Sequence, residues 1–223
     1  MNRRMVRRMS LLGVALALVV WAGATEPSAA VNIPDAAKDD PLAGGKSQTL
    51  VLAGGCFWGV EEVFQHVRGV MSAVSGYSGG SARNADYELV STGTTGHAES
   101  VKITYDPAKI SMGQLLKVFF SVVHDPTQIN RQGPDVGTQY RSVIFFGNER
   151  QQQIAKAYID QLTAAHVFPR AMATQLVPLN GFYDAEEYHQ DFAAKNPSHP
   201  YIVQVDKPKF DDFKKTFPHL YVK

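Results

Sequence analysis

A two-layer α+β sandwich, with a central mixed β-sheet and flanking helices, is the fold predicted by this 223-residue sequence. Three observations predict it. Short apolar segments of strand periodicity interleave with segments of helical periodicity. Their order is strand-helix-strand-strand-helix-strand, the split unit of a ferredoxin-like sandwich. A hydrophobic content of 44% with 10% aromatic residues suffices for one packed core of that size.

The elements follow in order. Thr49-Leu50-Val51-Leu52-Ala53 is an apolar strand that runs into Gly54-Gly55. A helix starts at Cys56, with Phe57, Val60, Val63, Phe64 and Val67 at near-helical spacing and Gly69 as its stop. A second strand covers residues 70–76, and the polar, glycine-rich stretch 77–98 reads as a loop. Residues 100–105 alternate, with Val101, Ile103 and Tyr105 on one face. Ser111 with Gln114 makes a capping-box start for a helix to about Val123. A second polar loop spans 124–141 and leads to a buried strand at 142–146. Ile154, Tyr158, Leu162 and Ala165 form the stripe of a third helix. A short strand at 175–178 and a helix near 185–194 precede a tail of mixed character. The ferredoxin-like order puts the first and third strands side by side in the centre, antiparallel. Cys56 and both long loops then open on one edge of the sheet.

Residues 1–24 read as a signal peptide, cut as late as residue 30 at a second site, Ser28-Ala29-Ala30. Arg3, Arg4, Arg7 and Arg8 form its positive region, and residues 11–20 its apolar region. That apolar run falls short of the roughly 20 residues a membrane span needs. The chain is therefore expected to be exported, periplasmic or secreted. Residues 25–47, rich in Ala, Pro, Asp and Gly, read as a flexible leader, 48–205 as the folded domain and 206–223 as a C-terminal tail. With 22 basic against 21 acidic residues there is no field to attract nucleic acid. The seven histidines show no metal-ligand spacing, so no metal or cofactor is expected.

Cys56 is the one cysteine in the sequence and has no partner for an internal disulfide. An unpaired thiol in an exported protein points to reactivity over structure. At a helix start, orphan amides and the dipole favour its thiolate, while Glu61 and Glu62 oppose that if they lie near the sulfur. Trp58 is off the apolar stripe and suits the wall of a pocket for an apolar group. Glu99, at the mouth of the third strand, is either a solvated loop carboxylate, the commonest fate of a glutamate, or, set against an apolar wall, a general acid with a raised pKa. In the two loops, Tyr87, Asp135 and Tyr140 are the candidates for binding a polar substrate atom.

Four motifs carry a family resemblance. They are Gly54-Gly55-Cys56-Phe57-Trp58-Gly59, Gly96-His97-Ala98-Glu99, His124-Asp125-Pro126-Thr127-Gln128, and the Asp-x-Gly-Thr-Gln-Tyr-Arg-Ser run from Asp135 to Ser142. Together they resemble the A-class peptide methionine sulfoxide reductases over residues 48–197. The resemblance implies reduction of methionine S-sulfoxide, free or in peptides. By motif position it implies Cys56 as nucleophile, Glu99 as acid, Tyr87, Asp135 and Tyr140 on the substrate, and Phe57 with Trp58 around its methyl group. Many members carry further cysteines near the C-terminus that resolve the sulfenic acid. None stands there in this sequence, so an external thiol, a thioredoxin-like protein or another reductant, is the expected partner. A cysteine hydrolase using His97 or His124, and a peptide-binding module with an inert thiol, are the rival readings.

Overall fold

The structure, a computed structural model, describes residues 30–223. The elements along the chain are β1 (Gln48–Ala53), α1 (Phe57–Gln65), β2 (Val70–Ser78), α2 (Tyr87–Ser91), β3 (Ala98–Tyr105), α3 (Met112–Val118), β4 (Arg131–Gln132), β5 (Asp135–Val136), β6 (Val143–Phe146), α4 (Glu149–Ala164), β7 (Gln175–Pro178), β8 (Tyr183–Asp184), α5 (Phe192–Lys195) and α6 (Lys207–Thr216). The main sheet has the order β7-β6-β1-β3-β2-β8, and β4 with β5 forms a separate hairpin. Only β6 and β7 pair in parallel, which makes the sheet mixed. The four central strands reproduce the ferredoxin-like arrangement, with β1 antiparallel to β3 at the centre.

Alternation decides which face each residue covers. Leu50 and Leu52 of β1 pack into the large core with α1, α3, α4 and α6, while Val51 and Ala53 join Val143 and Phe145 beneath Leu179 and Phe182. The Ser111–Gln114 capping box forms as expected, and a wider helical turn at Phe119–Val123 continues α3. Ile154, Tyr158 and Leu162 of α4 are buried, whereas Ala165 lies past its end and is exposed.

Three segments depart from expectation. Helix 185–194 is broken into a turn at Glu187–His189 and the short α5, because Asp191 adopts a left-handed φ of 56°. Tertiary bonds hold it there: the Asp191 amide donates to Glu61 Oε2, and the Gln190 side chain pairs with the Ser75 backbone. Within loop 77–98 lies the short helix α2, capped by Asp86, whose carboxylate accepts the Glu88 and Leu89 amides. The leader from residue 30 to 40 lies on the domain. Ile33 is buried, the Val31 amide donates to the Ser121 carbonyl, Pro34 accepts the Tyr158 hydroxyl, and Asp39 accepts the Gly113 amide. Its contacts are mostly polar and local to single residues, so no periodicity announces them. The tail also packs: Phe213 is buried, and the Arg68 amide and the Val222 amide exchange hydrogen bonds with Leu220 and His66 at the far end of α1. The expected signal peptide lies outside the described residues. Among the described residues no helix is long and apolar enough to cross a membrane.

Candidate active site

Cys56 is the N-cap of α1, directly after the turn that ends β1. Both glycines of that turn are required. A Cβ on Gly54 would lie 2.8 Å from the Phe119 ring, and Gly55 has a φ of +95°. The thiol is 6% exposed. Burial pushes its pKa well above the usual thiol range, Glu99, Asp206 and Asp135 push it further, and the Trp58 amide at the helix start works against them. Cys56 is therefore held as the protonated thiol. Burial and facing carboxylates outweigh the helix start, and those carboxylates are not Glu61 or Glu62. Glu61 is turned to the Asp191 amide on the other side of the helix.

Glu99 is 3% exposed and opens β3 across from the end of β1. Its Oε2 accepts the Phe57 amide at 3.1 Å. Burial raises its pKa to about 8 against that hydrogen bond, with Asp135 and Asp206 adding to the rise. At neutral pH Glu99 is thus largely a neutral carboxyl that has a proton to donate. Tyr87 and Tyr140 both have raised pKa values, from burial first and then from the charges of Glu99 and Cys56. Both phenols stay protonated and face the same pair of groups.

The two loops reach this point because the second is laced to the first. Thr138 Oγ1 donates to the Gly93 carbonyl at 2.6 Å, and Gln139 Nε2 to the Ser91 carbonyl at 3.2 Å. Arg141 donates to the carbonyls of Gly96, His97 and Thr138. Thr138, Gln139 and Arg141, which flank Tyr140, are thus tied to the neighbouring loop, and Glu99 is the foremost charge acting on the Tyr140 phenol. Asp135 sits on the β4–β5 hairpin and accepts the Tyr201 hydroxyl. Gln132 anchors that hairpin through both ends of its amide, to the Asp125 amide and carbonyl.

Trp58 is half-buried and stacks on Phe192, ring centroids 3.8 Å apart and planes 12° apart. Its Nε1–H donates to His189 Nδ1, and Tyr201 meets its face edge-on. Phe57 is 1% exposed and packs between Tyr77 and His189. Phe57 is thus part of the core, while Trp58 stays partly exposed. The sequence-predicted residues Cys56, Glu99, Tyr87, Asp135 and Tyr140 are all brought together.

Sequence reasoning missed His189, Phe192, Tyr201, Asp206 and Lys209. They come from the segment after β8, which has weak periodicity, and only its density of aromatic and charged residues was available as a signal. His97 and His124, the histidines of the hydrolase reading, are engaged elsewhere. The Gly80 amide donates to His97 Nδ1 and His97 Nε2 lies against the Ser81 carbonyl. His124 bridges the Phe119 carbonyl and Ser142 Oγ, and burial lowers its pKa to about 4. Neither acts on the Cys56 thiol. Among the described residues no cluster of histidine, cysteine and carboxylate side chains is placed to hold a metal ion.

Comparison with known proteins points to one family. The family model for peptide methionine sulfoxide reductase matches residues 48–220. The chain is 58% identical to peptide methionine sulfoxide reductase MsrA 2 of Mesorhizobium japonicum, over 82% of this chain and 93% of that protein. It is 53% identical to MsrA 2 of a Synechocystis species, over 77% of this chain and 80% of that one. Among solved structures it resembles reduced Mxr1 of Saccharomyces cerevisiae, with a TM-score of 0.62 at 34% identity over 73% of this chain and 91% of that chain. It also resembles methionine sulfoxide reductase A of Corynebacterium diphtheriae, with a TM-score of 0.60 at 34% identity over 71% of this chain and 79% of that chain. The chain belongs to the peptide methionine sulfoxide reductase family, in its A class, and is an oxidoreductase that returns methionine sulfoxide to methionine.

Proposed function

We propose that Cys56 is the nucleophile for the S epimer of methionine sulfoxide, that Glu99 is the proton donor, and that Tyr87 and Tyr140 hold the sulfoxide oxygen. The carrying observation is that Glu99 accepts the amide of the residue directly after Cys56, so acid and thiol are fixed to one peptide unit. Trp58, backed by Phe57, takes the S-methyl group, and Asp135 takes a polar group of the substrate backbone.

In the reaction the Cys56 sulfur attacks the sulfoxide sulfur as Glu99 protonates the oxygen, forming an S–S bond; that bond and the substrate S–O bond then break as the hydroxyl passes to the Cys56 sulfur. Glu99 then takes up the proton that the thiol gives up. Sulfoxide and thiol go in; thioether and Cys56 sulfenic acid come out, with no net proton change. Two equivalents of an external thiol then return Cys56 to the thiol, releasing a disulfide and water. A thioredoxin-like protein or another thiol reductant fills that role, because the chain holds no second cysteine. The arginine-led, apolar N-terminal segment supports a place outside the cytoplasm, periplasmic or secreted.

A single turnover tests the scheme. Without reductant, one equivalent of methionine should form per enzyme, and Cys56 should gain one oxygen, about 16 Da. Methionine formation with an unmodified Cys56 would overturn it.

A further inference from the structure

The C-terminal segment contributes a buried ion pair that neither the fold nor the scheme above requires. Asp206 directly precedes α6, and its side chain lies against Gly59 in the first turn of α1, so close that a Cβ there would overlap the carboxylate. Gly59 is three residues past Cys56 in sequence. Lys209, in the first turn of α6, donates to Asp206 Oδ1 at 3.1 Å. The two side chains are 1% and 13% exposed. Asp206 Oδ2 is buried and has no hydrogen-bond partner among the described residues. An incompletely paired carboxylate under a nucleophile is costly for stability and is adverse to a thiolate, so its cation matters more than in an ordinary surface pair.

We propose that Lys209 is a positioning residue of the reductase, its ammonium group supplying, from α6, the positive charge that balances the Cys56 thiolate in a site otherwise lined by carboxylates. This rests on Cys56 being the nucleophile. The groups facing Cys56 are Glu99 from β3, Asp135 from the β4–β5 hairpin, Asp206 before α6, and the phenols of Tyr87, Tyr140 and Tyr201. Each carries negative charge or none, and Lys209 is the cation among them. Its own protonation fits the role. Burial works against the ammonium charge, yet Asp206, Cys56 and Asp135 together hold its pKa above the ordinary lysine value. Lys209 therefore stays charged through the working pH range. Removing it would leave Asp206 uncompensated one helical turn from the thiol.

The test reads the thiol directly, apart from sulfoxide turnover. The pH profile of Cys56 alkylation by iodoacetamide is measured on the full chain and on Lys209→Met, Lys209→Arg and Asp206→Asn, each checked by circular dichroism and melting. Lys209→Met should move the profile up by about one pH unit or more, and Lys209→Arg should restore it. Asp206→Asn should move it down. A natively folded Lys209→Met with an unchanged profile overturns the proposal. Should that variant not fold, Asp206→Asn decides, and an unchanged or raised profile overturns it. Loss of the nucleophile reading shows separately, as sulfoxide turnover that survives Cys56→Ser.

Discussion

The amide of Phe57 donates to Glu99 Oε2 at 3.1 Å, so the start of β3 and the start of α1 are joined at the residue that follows Cys56. Glu99→Gln keeps an acceptor for that amide but removes the acid. Turnover is expected to fall by about 10²–10⁴-fold, the usual worth of a positioned proton donor. Above about pH 8, where Glu99 is charged, alkylation of Cys56 should become faster in the same variant, because Glu99 is the foremost charge holding the thiol protonated. Slower or unchanged alkylation contradicts this placement.

Glu99 also sets a pH limit. With its pKa raised to about 8, the donor form is lost above that pH. The kcat/KM profile should hold below it and decline beyond it, once the free-enzyme value is taken as the relevant one. The declining limb should be absent from the residual activity of Glu99→Gln.

Glu61 makes a stability prediction. Burial raises its pKa from 4.5 to about 7, against the hydrogen bond from the Asp191 amide. A raised folded-state pKa favours folding where the carboxyl is protonated, and that contribution is lost as pH rises from the unfolded value through 7. Glu61→Gln lacks the term. Its melting temperature should gain on that of the parent protein between the acid and alkaline ends of this window. A difference that does not change with pH refutes the assignment.

Arg141 holds three carbonyls of the two loops and touches no reacting atom. Arg141→Ala should misplace Tyr140 and Glu99 together, lowering turnover by about 10²-fold. Circular dichroism should stay native and the alkylation rate of Cys56 should change far less than turnover.

Tyr201 donates to Asp135, so Tyr201→Phe leaves that carboxylate without its fixing bond. A lost charged hydrogen bond of about 1.5 kcal/mol corresponds to a roughly tenfold higher KM for a sulfoxide peptide. A KM that is unchanged would remove Asp135 from substrate binding.

Much of this site is legible in the sequence because its parts sit at element ends. Cys56 after two glycines, Glu99 before an alternating strand, and Tyr140 inside a dense polar run each carry a local signal. The strand and helix order then brings those ends to one edge of the sheet. The rest depends on contacts with no local pattern. The ionisation of Cys56 is set by burial and by carboxylates from three remote segments, so the helix start alone gives the wrong sign. Phe57 and Trp58 divide the aromatic wall according to which side of α1 meets Tyr77 and which meets Phe192. Residues 185–194 have helical residues but yield to the Asp191 bond with Glu61, and the leader is held by polar contacts on Ser121, Tyr158 and Gly113.

The most direct test of the central claim is turnover of a methionine S-sulfoxide peptide with excess dithiol, beside the R epimer and beside Cys56→Ser. The account predicts methionine from the S epimer alone and none from Cys56→Ser. Sulfoxide reduction that persists in Cys56→Ser, or a natively folded parent protein that does not turn over the S epimer, would contradict it.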